Sequence, residues 1–219
     1  MTAVDAVVFD LDGVIIESEE IWDDVRERYV LERAGHYDAA AQRAMMGMSS
    51  LEWSRFMQEE LGVAETPETI SADVVSLMTE RYRERLPLIH GASSAVERLA
   101  AVFPLGLASS SNRPLIDVVL ERSGLERCFR ATVSSEEVAH GKPAPDVYLE
   151  AARRLGVEPA RCIVIEDSHN GIRSAKAAGM QVIAIPNPRY PPDAGAVAEA
   201  NTVLMSIAEL TPALLAELP

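Results

Sequence analysis

The chain has 219 residues, 48% of them hydrophobic, enough to bury a full core in one domain with an insertion or in two modest lobes. Its formal net charge of -14 argues against nucleic acid and anionic membrane surfaces as partners, since binding phosphate backbones takes clustered Lys and Arg that this chain lacks. A small anionic substrate remains compatible if a metal supplies local positive charge. The two cysteines, Cys128 and Cys162, lie in or near apolar runs without CxxC spacing and read as buried free thiols. The N-terminus reaches apolar residues without a basic signal region, and no stretch approaches the roughly 18 consecutive apolar residues of a membrane span, so the expected location is cytoplasmic. A monomer is expected, although no pattern in the sequence fixes the oligomeric state.

In chain order, Val7-Val8-Phe9 reads as a short buried strand that ends in Asp10-Leu11-Asp12-Gly13. In extended backbone the side chains of residues 10 and 12 leave on the same side, so two carboxylates face one point at the strand's carboxyl end, where open parallel sheets place their ligands. The same residue types also suit an Asx turn, with Gly13 permitting a sharp reversal. From residue 17 to about 85 the composition shifts to charge, Met and Ala at helical spacing, which predicts an all-helical insertion. Ile21, Trp22, Val25, Tyr29 and Val30 share one face of its first helix. A break at Gly35-His36 precedes a second short helix, and Met45-Met46-Gly47-Met48-Ser49-Ser50 leads into a third over 51–61. The fourth runs from 67 to 86 with Thr66 as N-cap and Pro67 at its first position.

From residue 87 onward strands and helices alternate. The pattern predicts helices over 92–101, 114–123, 146–155 and 172–178, strands over 105–108, 131–133, 162–165 and 181–185, a last strand at 203–204 and a helix from 207. This grammar specifies an α/β fold, a Rossmann-like doubly wound parallel sheet, built from residues 1–16 and 87–219, with an inserted all-α helical bundle over 17–86. The segment 186–192, with four prolines, reads as a strand-end loop without chemistry.

The unusual polar residues fall at strand ends. Ser109-Ser110-Ser111-Asn112 offers hydroxyls and backbone N–H groups before a helix, suited either to an anion or to capping. Gly141-Lys142-Pro143-Ala144-Pro145 holds one Lys in a helix-breaking setting. Glu166-Asp167-Ser168 brings two more acids to the same sheet edge, with Ser168 placed to cap the next helix. If Asp10, Asp12, Glu166 and Asp167 converge, each pair about 4 Å apart repels by roughly 4 kcal/mol at an effective dielectric of about 20, and one lysine would leave a site that rejects phosphate. A divalent cation reverses that balance, and hard oxygen ligands select Mg²⁺. His36, His90, His140 and His169 have no metal-ligand spacing and read as surface or capping residues.

The ordered set Asp10-Leu11-Asp12-Gly13-Val14, Ser109, Lys142-Pro143 and Glu166-Asp167 resembles the four motifs of the haloacid dehalogenase superfamily, and the helical block resembles that family's α-helical cap. The resemblance spans nearly the whole chain. It implies that Asp10 attacks phosphorus to form an aspartyl-phosphate, and that Asp12 protonates the leaving alcohol and then activates water. It further implies that Ser109 and Lys142 bind the transferred phosphoryl group. Mg²⁺ would be held by Asp10, the main-chain carbonyl of Asp12 and Asp167, with Glu166 as direct or indirect support. Asp12 separates the chain from the dehalogenase branch, which lacks this second acid and the metal.

Within the family the nearest likenesses are sugar-phosphate phosphatases and β-phosphoglucomutase. The mutase has a His where this chain has Trp22, and a basic pair where it has Met46 and Ser50. Ser18-Glu19-Glu20-Ile21-Trp22 instead resembles the Ser-Glu-x-x-Trp segment of hexose- and hexitol-phosphate phosphatases, with Ser18 placed to orient Asp12. Trp22 is either bundle core or a substrate contact. Gly13, Glu17, Ser18, Met48, Ser49, Ser110 and Asn112 complete the expected substrate-binding set. The cap would hinge near 15–17 and 86–89 and close over the site. The expected activity is Mg²⁺-dependent hydrolysis of a small phosphorylated metabolite, a sugar or sugar-alcohol phosphate. A phosphosugar mutase and a catalytically silent binding protein are the alternatives, although a silent relative would be expected to lose Asp10, Asp12 or the lysine.

Overall fold

Four consecutive apolar residues, Ala6–Phe9, form the central strand β1, because a strand covered on both faces needs no polar alternation. Ala6 and Val8 join one buried cluster while Val7 and Phe9 join another on the opposite face. The structure, a computed structural model, describes residues 4–45 and 48–218. After β1 come the four helices of the expected cap, α1 (Glu19–Glu32), α2 (Ala39–Met45), α3 (Ser50–Glu59) and α4 (Pro67–Glu84). The chain then alternates as predicted: α5 (Ala92–Ala100), β2 (Leu105–Ser109), α6 (Arg113–Ser123), β3 (Phe129–Ser134), α7 (Asp146–Leu155), β4 (Cys162–Glu166), α8 (His169–Ala177) and β5 (Gln181–Ala184). It closes with α9 (Ala194–Glu199), β6 (Thr202–Val203) and α10 (Pro212–Glu217).

All strand pairings are parallel, in the order β3-β2-β1-β4-β5-β6. This is the doubly wound order in which ligands bind beyond the carboxyl ends of the strands where the winding reverses, here around β1. Helices α7 and α8 cover one face through Val147, Tyr148, Ala151 and Ile172. Helices α5 and α6 cover the other, and their apolar cluster runs without a break into Trp22, Tyr29, Trp53 and Met78 of the cap.

The two chain crossings between sheet and cap lie side by side. Ile16 bridges antiparallel to Leu88, Glu17 N donates to Pro87 O at 2.9 Å, and Ile89 N donates to Ile15 O at 2.9 Å. Thr66 caps α4 with Pro67 first in the helix, as its sequence specifies.

Two local expectations need correction. The helix expected from 207 starts at Pro212; residues 207–209 form a single 3₁₀ turn, closed by a capping box between Ser206 and Glu209. Cys162 is buried but Cys128 only partly so, and both are free thiols. Among the described residues no helix is long and apolar enough to cross a membrane.

Candidate active site

The floor of the candidate site is assembled from the ends of three strands and one loop. Asp10 directly follows β1, and its N–H donates to Ile165 O of β4 at 3.0 Å. The chain then reverses over 11–16 through bonds from Ile15 N to Leu11 O at 2.8 Å and from Gly13 N to Ile16 O at 2.7 Å. Gly13 has φ +77, and a Cβ there would sit 1.9 Å from Asp167 Oδ2. Its role is close approach, leaving room for the acid that follows β4.

Lys142, in the loop after β3, is the electrostatic centre. Its Nζ donates to Asp10 Oδ1 at 2.7 Å, Glu166 Oε1 at 2.8 Å and Tyr148 Oη at 2.9 Å. Tyr148 in turn donates to Glu166 Oε1 at 2.9 Å, and its ring lies 4.7 Å from the ammonium. Glu166 Oε2 accepts from Asp167 N and Ser168 N, each at 2.8 Å, and from Ser168 Oγ at 3.0 Å. Both oxygens of Glu166 are therefore engaged within the protein, which suits a group that positions Lys142. Ser168 Oγ also accepts from Gly171 N and so caps α8.

Asp12 is held by hydroxyls. Ser18 Oγ donates to its Oδ1 at 2.5 Å, and its Oδ2 receives Ser111 Oγ at 2.7 Å with Ser109 Oγ more distant at 3.4 Å. Ser109 is fully buried and accepts from Ser111 N at 2.9 Å. The helix-capping alternative for this serine run is not realised by the serines. The N-terminus of α6 is met by Glu136, whose oxygens accept from Arg113 N at 2.9 Å and Asn112 Nδ2 at 2.6 Å.

One counter-charge is too little for this many acids. Burial, with Glu166 and Asp12 adding to it and Lys142 opposing, pushes the Asp10 carboxyl up to about 7. Burial, then the neighbouring Glu166 and Asp10, raises Asp167 well above the usual carboxylate range. Glu166 goes the other way: burial would raise it, but the Lys142 ion pair and its hydrogen bonds outweigh that and hold it low. Asp10, Glu166 and Asp167 each offer an oxygen, and all three oxygens lie within 4.8 Å of one another. This donor set fits a hard divalent cation, with Asp10 and Asp167 as the acids whose oxygens are not all taken.

A cavity of about 470 Å³ separates this floor from the cap. Of the residues expected from the sequence, Asp10, Asp12, Lys142, Asp167, Ser110 and Asn112 line it from the core, and Trp22 and Met48 from the cap. Gly13, Ser18, Ser109 and Glu166 are placed behind this surface, supporting it. Glu17 turns to the loop after β5 and accepts from Asn187 Nδ2 at 2.8 Å. Ser49 is not brought to the cavity; its side chain forms a capping box with Glu52 at the start of α3. Met46 lies outside the described residues, whereas Ser50 lines the cavity and donates to Asn112 Oδ1 at 2.7 Å, joining cap to core.

Several residues here were not anticipated. Ser111 makes the shorter of the two serine contacts to Asp12 Oδ2; its spacing of two from Ser109 was the available signal. The loop 186–192, expected to carry no chemistry, contributes Asn187, Tyr190, Pro191 and Pro192 to the cavity wall. From the cap, Arg26, Arg43 and Trp53 also line it; Arg26 stands four residues after Trp22 and so shares its helix face.

Comparison with known proteins agrees with this geometry. The family model of haloacid dehalogenase-like hydrolases matches residues 4–179. Hexitol phosphatase B of Escherichia coli (strain K12) is 34% identical over 218 residues, 94% of each chain. The bifunctional riboflavin kinase/FMN phosphatase of Arabidopsis thaliana is 32% identical over 83% of this chain, which spans about half, 48%, of that relative. Among solved structures, CbbY from Rhodobacter sphaeroides in complex with phosphate superposes with a TM-score of 0.85 at 26% identity, covering 97% of this chain and 99% of its own. On the family match and the full-length likeness, the chain belongs to the haloacid dehalogenase-like hydrolases, as an enzyme of phosphatase type.

Proposed function

We propose that the protein is a Mg²⁺-dependent phosphatase of small phosphorylated metabolites, a sugar or sugar-alcohol phosphate, working through an aspartyl-phosphate on Asp10. The observation that carries this reading is the fixed ammonium of Lys142 between Asp10 and Glu166, beside a second acid, Asp12, held by hydroxyls on both oxygens. A carboxylate oxygen of Asp10 attacks phosphorus, and the bond to the leaving alcohol breaks as Asp12 delivers its proton to that oxygen. Asp12 then takes a proton from water, which attacks the aspartyl-phosphate and releases inorganic phosphate and the free Asp10. Lys142, held by Glu166 and Tyr148, turns the N–H that it gives Asp10 in the free protein to a phosphoryl oxygen once Asp10 attacks, and the Ser109 to Ser111 run supports the same region.

Asp10, the Asp12 carbonyl and Asp167 would hold Mg²⁺, which would supply the positive charge that lets a phosphoester approach these acids. Residues 17–86 form the cap and residues 1–16 and 87–219 the catalytic core, with the paired crossings at 15–17 and 86–89 as the hinge. Closure would exclude water while the alcohol departs. Likeness to hexitol phosphatase B over 94% of both chains supports the substrate class, and Trp22, where the mutase has a His, weighs against phosphosugar transfer.

Release of phosphate from p-nitrophenyl phosphate and a panel of sugar and sugar-alcohol phosphates tests the reading. Asp10→Asn is expected to lower turnover at least about 10³-fold with the circular dichroism unchanged. Excess EDTA is expected to silence the wild type, with recovery on adding Mg²⁺. A mutant with half its activity would refute the nucleophile, and full turnover in EDTA would refute the metal.

A further inference from the structure

We propose that Arg26, supported by Arg43, determines specificity by receiving an oxyanion carried on the end of the substrate remote from the transferred phosphoryl group. The assignment of ends rests on the phosphatase reading above.

Arg26 is only 9% exposed, yet among the described residues its guanidinium has no hydrogen-bond acceptor. Its Nε is buried without a hydrogen bond, and no carboxylate of the described residues lies within ion-pair distance of it. What holds it is aromatic: the guanidinium carbon lies 4.5 Å from the Trp22 ring centroid and 5.1 Å from that of Trp53. Buried charges in folded proteins are otherwise paired, because removal from water is costly unless a partner replaces it. Burial lowers the group to about 10, so it stays charged at neutral pH. Arg26, from the cap, lines the cavity that Asp10 lines from the core, and so does the exposed Arg43, which has no ion pair among the described residues. A ligand in this cavity is the available source of the missing acceptor.

The sign of that ligand follows from the groups around it. Asp23 is occupied by the Tyr37 hydroxyl at 2.7 Å, and Tyr37 and Tyr82 are neutral phenols held above their ordinary range. Glu19, seven residues earlier and on the same face of α1, also lines the cavity; it is the strongest charge acting on Arg26 and also faces Asp12, but it stays beyond ion-pair distance of the guanidinium. The cap wall of the cavity thus carries two cations, Arg26 and Arg43, against one acid, Glu19, whereas the core wall carries Asp10, Asp12 and Asp167. A guanidinium fork matches a carboxylate or phosphate by two parallel bonds, while a neutral hydroxyl would leave its charge unmatched.

Two pairs of substrates separate these cases. Sorbitol 6-phosphate and 6-phosphogluconate share a six-carbon chain and differ in a neutral or a carboxylate far end. Fructose 1-phosphate and fructose 1,6-bisphosphate make the same comparison for phosphate. The wild type is expected to favour the anionic member of at least one pair by about tenfold or more in kcat/KM, through KM, and the pair that shows it names the oxyanion. Arg26→Gln is expected to erase the preference, Arg26→Lys to restore part of it, and Arg43→Gln, at an exposed position where folding is not at risk, to reduce it. Calorimetric affinities in the Asp10→Asn background read the same contact without turnover. Absence of hydrolysis for all four compounds would refute the phosphatase reading while the affinity ratio still judged Arg26. Equal values within both pairs, an equal fall for both members in Arg26→Gln, or no binding of any compound would overturn the assignment.

Discussion

The floor and the roof of this cavity are built on opposite terms. On the floor the charged groups are bound to one another: Glu166 accepts from five donors, Asp12 from two serines at 2.7 Å or less, and Lys142 bridges two acids. On the roof the main cation, Arg26, lies against the Trp22 and Trp53 rings and has no acceptor among the described residues. The floor is thus set for its chemistry before any ligand arrives, which is how preorganised sites stabilise developing charge. The roof is completed by the ligand. Changes to the floor should lower kcat for every substrate alike, and changes to the roof should re-rank substrates.

The largest effect is expected at Lys142. Lys142→Met leaves the buried Asp10 and Glu166 facing each other without a cation, and removing one partner of a buried ion pair costs about 3–5 kcal/mol. Thermal denaturation should show that loss, and phosphate release should fall below detection on all substrates. A variant that still turned over at a tenth of the wild-type rate would mean that the floor is not one electrostatic unit. Gly171→Ala is a smaller perturbation of the same unit from outside it. A Cβ at this position in α8 would sit 1.5 Å from Glu166 Oε1, so Glu166 must move and take Lys142 with it. Misplacement of that order costs about 10²-fold in kcat. Alanine is otherwise the better helix former, so a more stable protein with undiminished kcat would show that Glu166 does not position the lysine.

How far the sequence anticipates each half follows the same division. The floor was legible because its parts are short contiguous segments at strand ends: an apolar run that stops at Asp10-Leu11-Asp12, another that stops at Glu166-Asp167, and a lone lysine flanked by Gly141 and Pro143. Alternation of strand and helix then fixes which ends share an edge. The roof was not legible, since an arginine on a charged amphipathic helix looks solvated until Trp53, from α3, is packed against it. Asn187 stayed hidden for a similar reason: prolines mark its segment as a loop, but its burial requires Glu17 of the cap crossing. Ser49, expected at the substrate, has its hydroxyl in a capping box with Glu52 instead, and Ser49-x-x-Glu52 is the local pattern that signals it.

The smallest expected effect concerns the contacts that join the two halves. Asn187, only 5% exposed, donates to Glu17 at 2.8 Å, whereas Arg189 pairs with Glu20 where both side chains are more than half exposed. A hydrogen bond shielded from water is worth about 1 kcal/mol, so Asn187→Ala should lower kcat/KM by about fivefold, and by the same factor for neutral and anionic substrates, because Asn187, although in the cavity wall, gives its amide to Glu17 and carries no charge that would tell the two apart. The exposed ion pair is screened by salt, and Arg189→Ala should stay within about twofold at physiological ionic strength. Steady-state kinetics on one substrate pair measures both. If Asn187→Ala instead changed the ranking within a pair, the contact would belong to the roof, and the separation between a floor that reacts and a roof that chooses would have to be redrawn to include the loop after β5.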